Sequence, residues 1–186
     1  LYPQPRYPYK FIQADALQFL ADHGGEFDFI HASPPCPAHT RINHARKGQL
    51  ESLIDPCREL LKQTGKPYVI ENVPGAPLDN PLMLCGTMFD LSVIRHRLFE
   101  SNRFIYPPGG CQHRGNVADG TYVSVHGGGQ RSTHAIKYAE QRARWEAAMG
   151  IDWMGNRKEL VNAIPPAYTQ WIGGLLLGTV GAGRSK

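Results

Sequence analysis

The chain has 186 residues, and its 20 Lys and Arg against 16 Asp and Glu give a formal net charge of +4 at pH 7. Its 41% hydrophobic and 19% charged residues exclude a wholly disordered, collagen-like or coiled-coil chain. The length predicts one domain, or one domain with a small appendage. The mild basic excess permits a polyanionic partner without requiring one. No apolar run reaches the roughly 18 residues that span a bilayer, so no membrane partner is expected.

The first part of the chain predicts alternating strands and helices. In chain order these are a strand over 11–13, a helix over 14–23, a strand over 28–32, a helix over 49–63 and a strand over 67–73. This alternation is typical of a parallel sheet with crossover helices. In such sheets ligands bind at the carboxyl ends of the strands.

From about residue 100 the pattern changes. Glycine- and proline-rich stretches at 107–110 and 127–129 bracket short β-like runs such as 122–125. Helices are predicted over 138–149, 156–162 and 168–177. The expected organisation is therefore an α/β domain over 1–99, a small irregular β-rich region over 100–144, and a segment over 145–186 that returns to the first domain.

The four cysteines are widely spaced and form no Cys-x-x-Cys pair: Cys36, Cys57, Cys85 and Cys111. They are interpreted as free thiols in a reducing compartment. Cys111 and His113, with His126 and His134 further on, raise the possibility of zinc. Their spacing is irregular and the region is glycine-rich, so no metal site is expected.

Cys36 and Glu71 are the candidate reactive side chains. Cys36 follows a buried strand and two stiffening prolines, where a thiolate with a lowered pKa would be a good nucleophile. A buried structural cysteine is the alternative. Glu71 ends an apolar strand, a costly position for a carboxyl unless it is paired or functional. One crossover helix separates the two strands, so their ends are expected to be neighbours.

Four short motifs occur in order and cover most of the chain. They are Pro34-Pro35-Cys36, Glu71-Asn72-Val73, Arg95-His96-Arg97 and Asn162-Ala163-Ile164-Pro165-Pro166. The ordered set resembles the DNA (cytosine-5) methyltransferases, and the compact chain looks like the small phage or prophage branch. The resemblance implies a doubly wound, Rossmann-like methyltransferase fold, S-adenosyl-L-methionine as cofactor and double-stranded DNA as partner. It also implies a cytoplasmic location in a bacterium or a phage-infected host.

The resemblance implies roles for the catalytic residues. Cys36 would add to C6 of a flipped cytosine, and protonated Glu71 would hydrogen-bond N3 of the ring. Arg95 and Arg97 would orient Glu71, contact the nucleotide and favour the thiolate. A solvated basic strand is the alternative for the two arginines.

Further residues are assigned to the cofactor and to DNA by the same resemblance. Asp15 would contact the adenine amino group, with a helix N-cap as the equal alternative. Pro35 would line the cofactor site, and Asn162 would help close it unless it is a simple cap or turn residue. The loop after the nucleophile would close over DNA, and an ordinary solvated loop is the alternative. Its candidate DNA-contacting residues are His39, Arg41, Arg46 and Lys47. The region over 100–144 would recognise the target sequence.

One family element is not found in the sequence. The glycine-rich cofactor loop (Phe-x-Gly-x-Gly) and the acid that binds the ribose are expected upstream of Leu1, or on a second polypeptide. Two alternatives to DNA methylation remain. One is the same chemistry on a free nucleotide or with a modified methyl donor; the other is a non-catalytic, DNA-binding partner subunit.

Overall fold

The computed structural model describes residues 6–7, 9–35, 52–125, 138–154 and 157–178. These residues form an α/β structure with four strands in one mixed sheet and five helices. The strands are β1 (Ile30–Ala32), β2 (Tyr68–Asn72), β3 (Leu82–Leu84) and β4 (Arg97–Ser101). The helices are α1 (Ala16–His23), α2 (Ile54–Gln63), α3 (Tyr138–Met149), α4 (Arg157–Asn162) and α5 (Pro166–Leu176). In this described part, none of the helices has the length and apolar character needed to cross a bilayer.

The sheet has the strand order β1-β2-β4-β3. β1 and β2 are parallel, with Ile30 opposite Tyr68 and Ala32 opposite Ile70, as the β1–α2–β2 pattern predicts. β4, which the sequence did not predict, runs antiparallel to both of its neighbours, so the four-stranded sheet is mixed. The reason is the connection: between β2 and β4 the chain forms only β3 and a 3₁₀ turn, with no crossover helix.

Several predicted elements form with shifted ends, and two do not form. α1 begins at Ala16, two residues later than predicted, and the strand predicted over 28–32 is confined to 30–32. The strand predicted over 11–13 is irregular, with Ile12 48% exposed, because no neighbouring strand pairs with it in the described part. The β-like run over 122–125 is also irregular chain.

By its contacts the chain divides into two compact units. We call Ala14–Leu84, His96–Pro107 and Leu175–Lys186 the sheet unit. Its core contains buried residues of α2 and β2, with apolar side chains of α1 and β1 against them: Cys57, Leu61, Tyr68, Ile70, Leu17, Leu20 and Ile30. The buried positions of α2 follow the i, i+3, i+4, i+7 spacing of an amphipathic helix.

The helical unit comprises Leu1–Gln13, Cys85–Arg95 and Pro108–Gly174. A second hydrophobic cluster forms its core: Val93, Val125, Trp145, Ala148, Met149, Ile151 and Leu160. The Val123 amide donates to the Ser92 carbonyl at 2.7 Å, which ties two separate segments of this unit together.

Candidate active site

The carboxyl ends of β1 and β2 lie side by side in the sheet unit. Because the two strands are parallel and in register, the chain leaves both at the same edge of the sheet. Asn72, only 2% exposed, donates from Nδ2 to the Pro34 carbonyl at 3.1 Å. This confirms the expectation that the two strand ends are neighbours. Pro35 is exposed at this edge, and Cys36, the next residue, lies outside the described residues.

Glu71 and Arg97 form an ion pair beside this edge. Arg97 opens β4, and its Nε lies 3.0 Å from Glu71 Oε1. Glu71 is 7% exposed and lies opposite Phe99 of β4. A carboxylate this deeply buried is costly without a charged partner, and the guanidinium supplies one. Of the predicted catalytic residues that are described, the structure therefore brings together Glu71 and Arg97.

Arg95 makes three hydrogen bonds within the helical unit. Its guanidinium donates to the carbonyls of Val125 and Val161, and its own carbonyl accepts from the Tyr168 hydroxyl at 2.6 Å. The side chain is buried, with 6% of the residue exposed. These bonds give Arg95 a structural role, and its predicted role in orienting Glu71 stays a prediction.

The predicted cofactor residues lie at helix and strand ends. Asp15 is the N-cap of α1, as its alternative reading predicts, and its Oδ1 accepts from the amides of Leu17 and Gln18, each at 3.0 Å. Asn162 is the last residue of α4 and is exposed. Contacts of Asp15, Pro35 and Asn162 with a cofactor remain predictions.

The predicted DNA contacts lie outside the described residues. They are His39, Arg41, Arg46 and Lys47.

Sequence reasoning missed two groups near this edge. One is the Asn72 amide, whose bond to Pro34 fixes the segment that leads to Cys36. The signal available in the sequence was a second polar residue beside Glu71 in an otherwise apolar strand. The other is His31 of β1, whose burial lowers its pKa to about 4. The signal available in the sequence was its position in the strand over 28–32, which was predicted to be buried.

No protein-family model matches this chain, and no curated protein matches its sequence.

Proposed function

We propose that the chain is a DNA (cytosine-5) methyltransferase of the doubly wound type. The observation that carries the proposal is the hydrogen bond from Asn72 to the Pro34 carbonyl, beside the Glu71–Arg97 pair. It holds the segment two residues before Cys36 against the strand that carries the acid. A thiol and a carboxyl on adjacent parallel strand ends are the pair that attack on a pyrimidine ring requires.

Cytosine C5 is too weakly nucleophilic to take a methyl group directly, so the thiol has to activate it. The Cys36 thiolate forms a bond to C6, and the ring electrons move toward C5. Glu71, an ionised partner of Arg97 in the free protein, would take up a proton when the base binds, donate to N3 and offset the charge that develops there. C5 would then form the new carbon–methyl bond as the sulfur–methyl bond of the donor breaks, with the sulfur keeping the electron pair. Loss of the C5 proton to water and cleavage of the bond between C6 and Cys36 would release the thiolate and restore the aromatic ring.

Arg97 acts through Glu71 in this scheme. The ion pair between its Nε and Glu71 Oε1, at 3.0 Å, holds the carboxyl in a fixed orientation. A fixed orientation of this kind contributes to rate because the reacting groups are already aligned when the base arrives.

S-adenosyl-L-methionine supplies an electrophilic methyl group when it is bound. Pro35 fits a cofactor position because it is exposed at the carboxyl edge of the sheet, where open α/β sheets bind their ligands. Asp15 fits a cofactor contact by its position at the start of α1. Its Oδ1 already accepts the two hydrogen bonds of the helix N-cap.

Duplex DNA is the proposed substrate. A base inside the duplex is out of reach of any side chain at this edge, so the cytosine has to be flipped out, at a cost of a few kcal/mol. The basic residues Arg41, Arg46 and Lys47 are proposed to hold the phosphates around the flipped nucleotide.

The test is a methyl-transfer assay with the complete translation product that contains this chain, duplex DNA and methyl-labelled S-adenosyl-L-methionine. Digestion to nucleosides and mass spectrometry should show the label on C5 of cytosine. Label on adenine N6 or cytosine N4, with none on C5, would contradict the proposal.

Glu71→Gln removes the proton donor and should lower the methylation rate by about 10²- to 10⁴-fold. Glu59→Gln is the matched control, since Glu59 is exposed on α2 and pairs with Lys62. Equal rates for the two variants would exclude Glu71 as the acid.

A further inference from the structure

Two cysteines and a histidine converge within the helical unit, outside the proposed active site. Cys85 is fully buried, Cys111 is partly buried and His113 is exposed. His113 Nε2 lies 2.9 Å from Cys111 Sγ and 3.5 Å from Cys85 Sγ. All three donor atoms lie within 4.8 Å of one another. Both cysteines are free thiols.

The distances suit a tetrahedral zinc ion. Zn–S bonds of about 2.3 Å and Zn–N bonds of about 2.0–2.1 Å place neighbouring ligand atoms roughly 3.5–3.8 Å apart. The Cys85–His113 distance of 3.5 Å already matches this separation. The Cys111–His113 distance needs to open by less than about 1 Å, which a rotation of the exposed imidazole can provide.

The segment around Cys111 has neither regular secondary structure nor a large buried core to stabilise its conformation. Residues 108–125, all of which the structure describes, contain no helix or strand. Only Tyr122 and Val125 are buried among them. Irregular segments with so small a core are commonly held by disulfides or by a structural metal.

The backbone on both sides of His113 is nevertheless fixed. The Tyr122 hydroxyl accepts from the Arg114 amide at 2.9 Å and donates to the Gln112 carbonyl at 3.3 Å. These two hydrogen bonds fix the residues on either side of His113. Little conformational entropy is therefore lost when its ring binds a metal.

Cys85 is equally well positioned. It precedes Gly86, where an added Cβ would lie 2.1 Å from the Val93 carbonyl oxygen, so only glycine permits this close approach. The Thr87 hydroxyl lies 3.4 Å from Cys85 Sγ and 3.6 Å from Cys111 Sγ, within hydrogen-bond reach of both sulfurs.

We propose that Cys85, Cys111 and His113 bind a structural zinc ion that joins segment 108–125 to the chain at the end of β3. The fourth position of the tetrahedron is completed by water or by a further side chain. The sequence predicts no metal here because the ligands adjacent in the chain are irregularly spaced. Only folding brings Cys85 to them. This proposal does not depend on the methyltransferase proposal, because it concerns other residues and another chemistry.

The metal content of the reduced, full-length protein tests the proposal first. Elemental analysis should find about one zinc per chain after extensive dialysis. Cobalt(II) added to the metal-free protein should give the near-ultraviolet thiolate-to-cobalt band and the visible bands of tetrahedral coordination. Absence of both retained zinc and the thiolate–cobalt band would overturn the proposal.

Ligand variants then assign the site. Cys111→Ser should lose about half of the thiolate–cobalt absorbance, because one of the two sulfurs is removed. His113→Ala should weaken zinc binding at least tenfold, roughly the smallest loss expected on disturbing a metal's coordination. His113 is exposed, so this variant should fold even if Cys111→Ser does not.

Cys57→Ala and His23→Ala remove a thiol and an imidazole elsewhere and should leave zinc binding unchanged. If His113→Ala binds zinc as tightly as the native chain, the assignment is wrong.

Thr87→Val provides a second readout. It keeps the side-chain shape but removes the hydroxyl beside both sulfurs, so zinc affinity should fall by about 10- to 100-fold. Thr169→Val, which removes a hydroxyl bonded to the Pro166 carbonyl in α5, is the control. Equal zinc affinity in the two variants would remove Thr87 from the site.

Discussion

His31 is a histidine that the fold keeps neutral. It lies in β1, with its ring edge-on to Phe99 at a centroid distance of 6.3 Å and its Nε2 3.3 Å from Ser33 Oγ. Burial lowers its pKa from 6.5 to about 4, because the charged imidazolium loses its hydration there.

The lowered pKa of His31 makes the stability of the fold depend on pH. Above pH 6.5 the histidine is neutral in both the folded and the unfolded chain, so its burial carries no protonation cost. As pH falls from 6.5 toward 4 the unfolded chain takes up a proton that the folded chain does not, and stability is lost across this window. The loss has an upper bound of about 3 kcal/mol.

Urea unfolding of the native chain and of His31→Gln at pH 7 and pH 4.5 measures this effect. The variant should lose less stability between the two pH values. His23→Gln, which changes an exposed histidine on α1, should keep the native pH dependence. A native pH dependence in His31→Gln as well would contradict the burial argument.

At the residue scale, the sequence predicts local contacts better than contacts between distant parts of the chain. The N-cap alternative for Asp15 is confirmed because capping depends only on a residue and the amides two and three positions later. The bond from Asn72 to Pro34 joins residues far apart in the chain, so no local pattern signals it. The same limit applies to Cys85, which meets His113 only after folding.

α2 and β4 are joined by a buried ion pair. Arg58 of α2 donates from Nε to Glu100 Oε1 at 2.8 Å and from Nη2 to Oε2 at 2.9 Å. Arg58 also donates to the Pro77 carbonyl, and Glu100 accepts from the Asp79 amide. Glu100 is 4% exposed and has the Arg58 guanidinium as its charged partner. Arg58, 7% exposed, also pairs with the exposed carboxylates of Asp55 and Asp79.

Glu100→Gln should destabilise the fold by up to about 3–5 kcal/mol, because it removes the only buried carboxylate paired with Arg58 in the described part of the chain and leaves the exposed ones of Asp55 and Asp79. Glu59→Gln breaks the exposed pair with Lys62 and should cost less than about 1 kcal/mol. Equilibrium urea unfolding at pH 7 gives both values. A loss for Glu100→Gln as small as that for Glu59→Gln would show that the buried pair adds no net stability.

At the element scale, long periodic segments were predictable and short apolar ones were not. The helix over 138–149 is confirmed at both ends, and the 3.6-residue spacing of apolar side chains correctly predicts α2. The strand expected over 11–13 does not form, because a short apolar segment becomes a strand only where a neighbouring strand pairs with it. The antiparallel pairing of β4 depends on the loops before it, which carry no periodic signal.

At the scale of the whole molecule, a net charge of +4 leaves the substrate question open between DNA and a free nucleotide. Salt dependence separates them, because each phosphate contact releases a counterion. If Arg41, Arg46 and Lys47 contact phosphates, they alone contribute a slope of about −3 in log affinity against log salt.

Gel-shift titrations from low to moderate salt measure this slope. Changing the three residues together to alanine should make it shallower by about 3, whereas Arg103→Ala, just beyond β4, should leave it unchanged. A slope that is shallow in the native chain and unaffected by the triple change would favour a free nucleotide.

The covalent bond between Cys36 and C6 of cytosine is the central claim of the proposed mechanism. DNA containing 5-fluorocytosine tests it directly, because after methyl transfer C5 carries no proton to lose and the thiolate cannot leave. The complete protein, incubated with this DNA and S-adenosyl-L-methionine, should form a covalent complex that survives denaturing electrophoresis. Cys36→Ser should form none, and Cys57→Ala should form as much as the native chain. A covalent complex that persists in Cys36→Ser, or none in the native chain, would contradict the account.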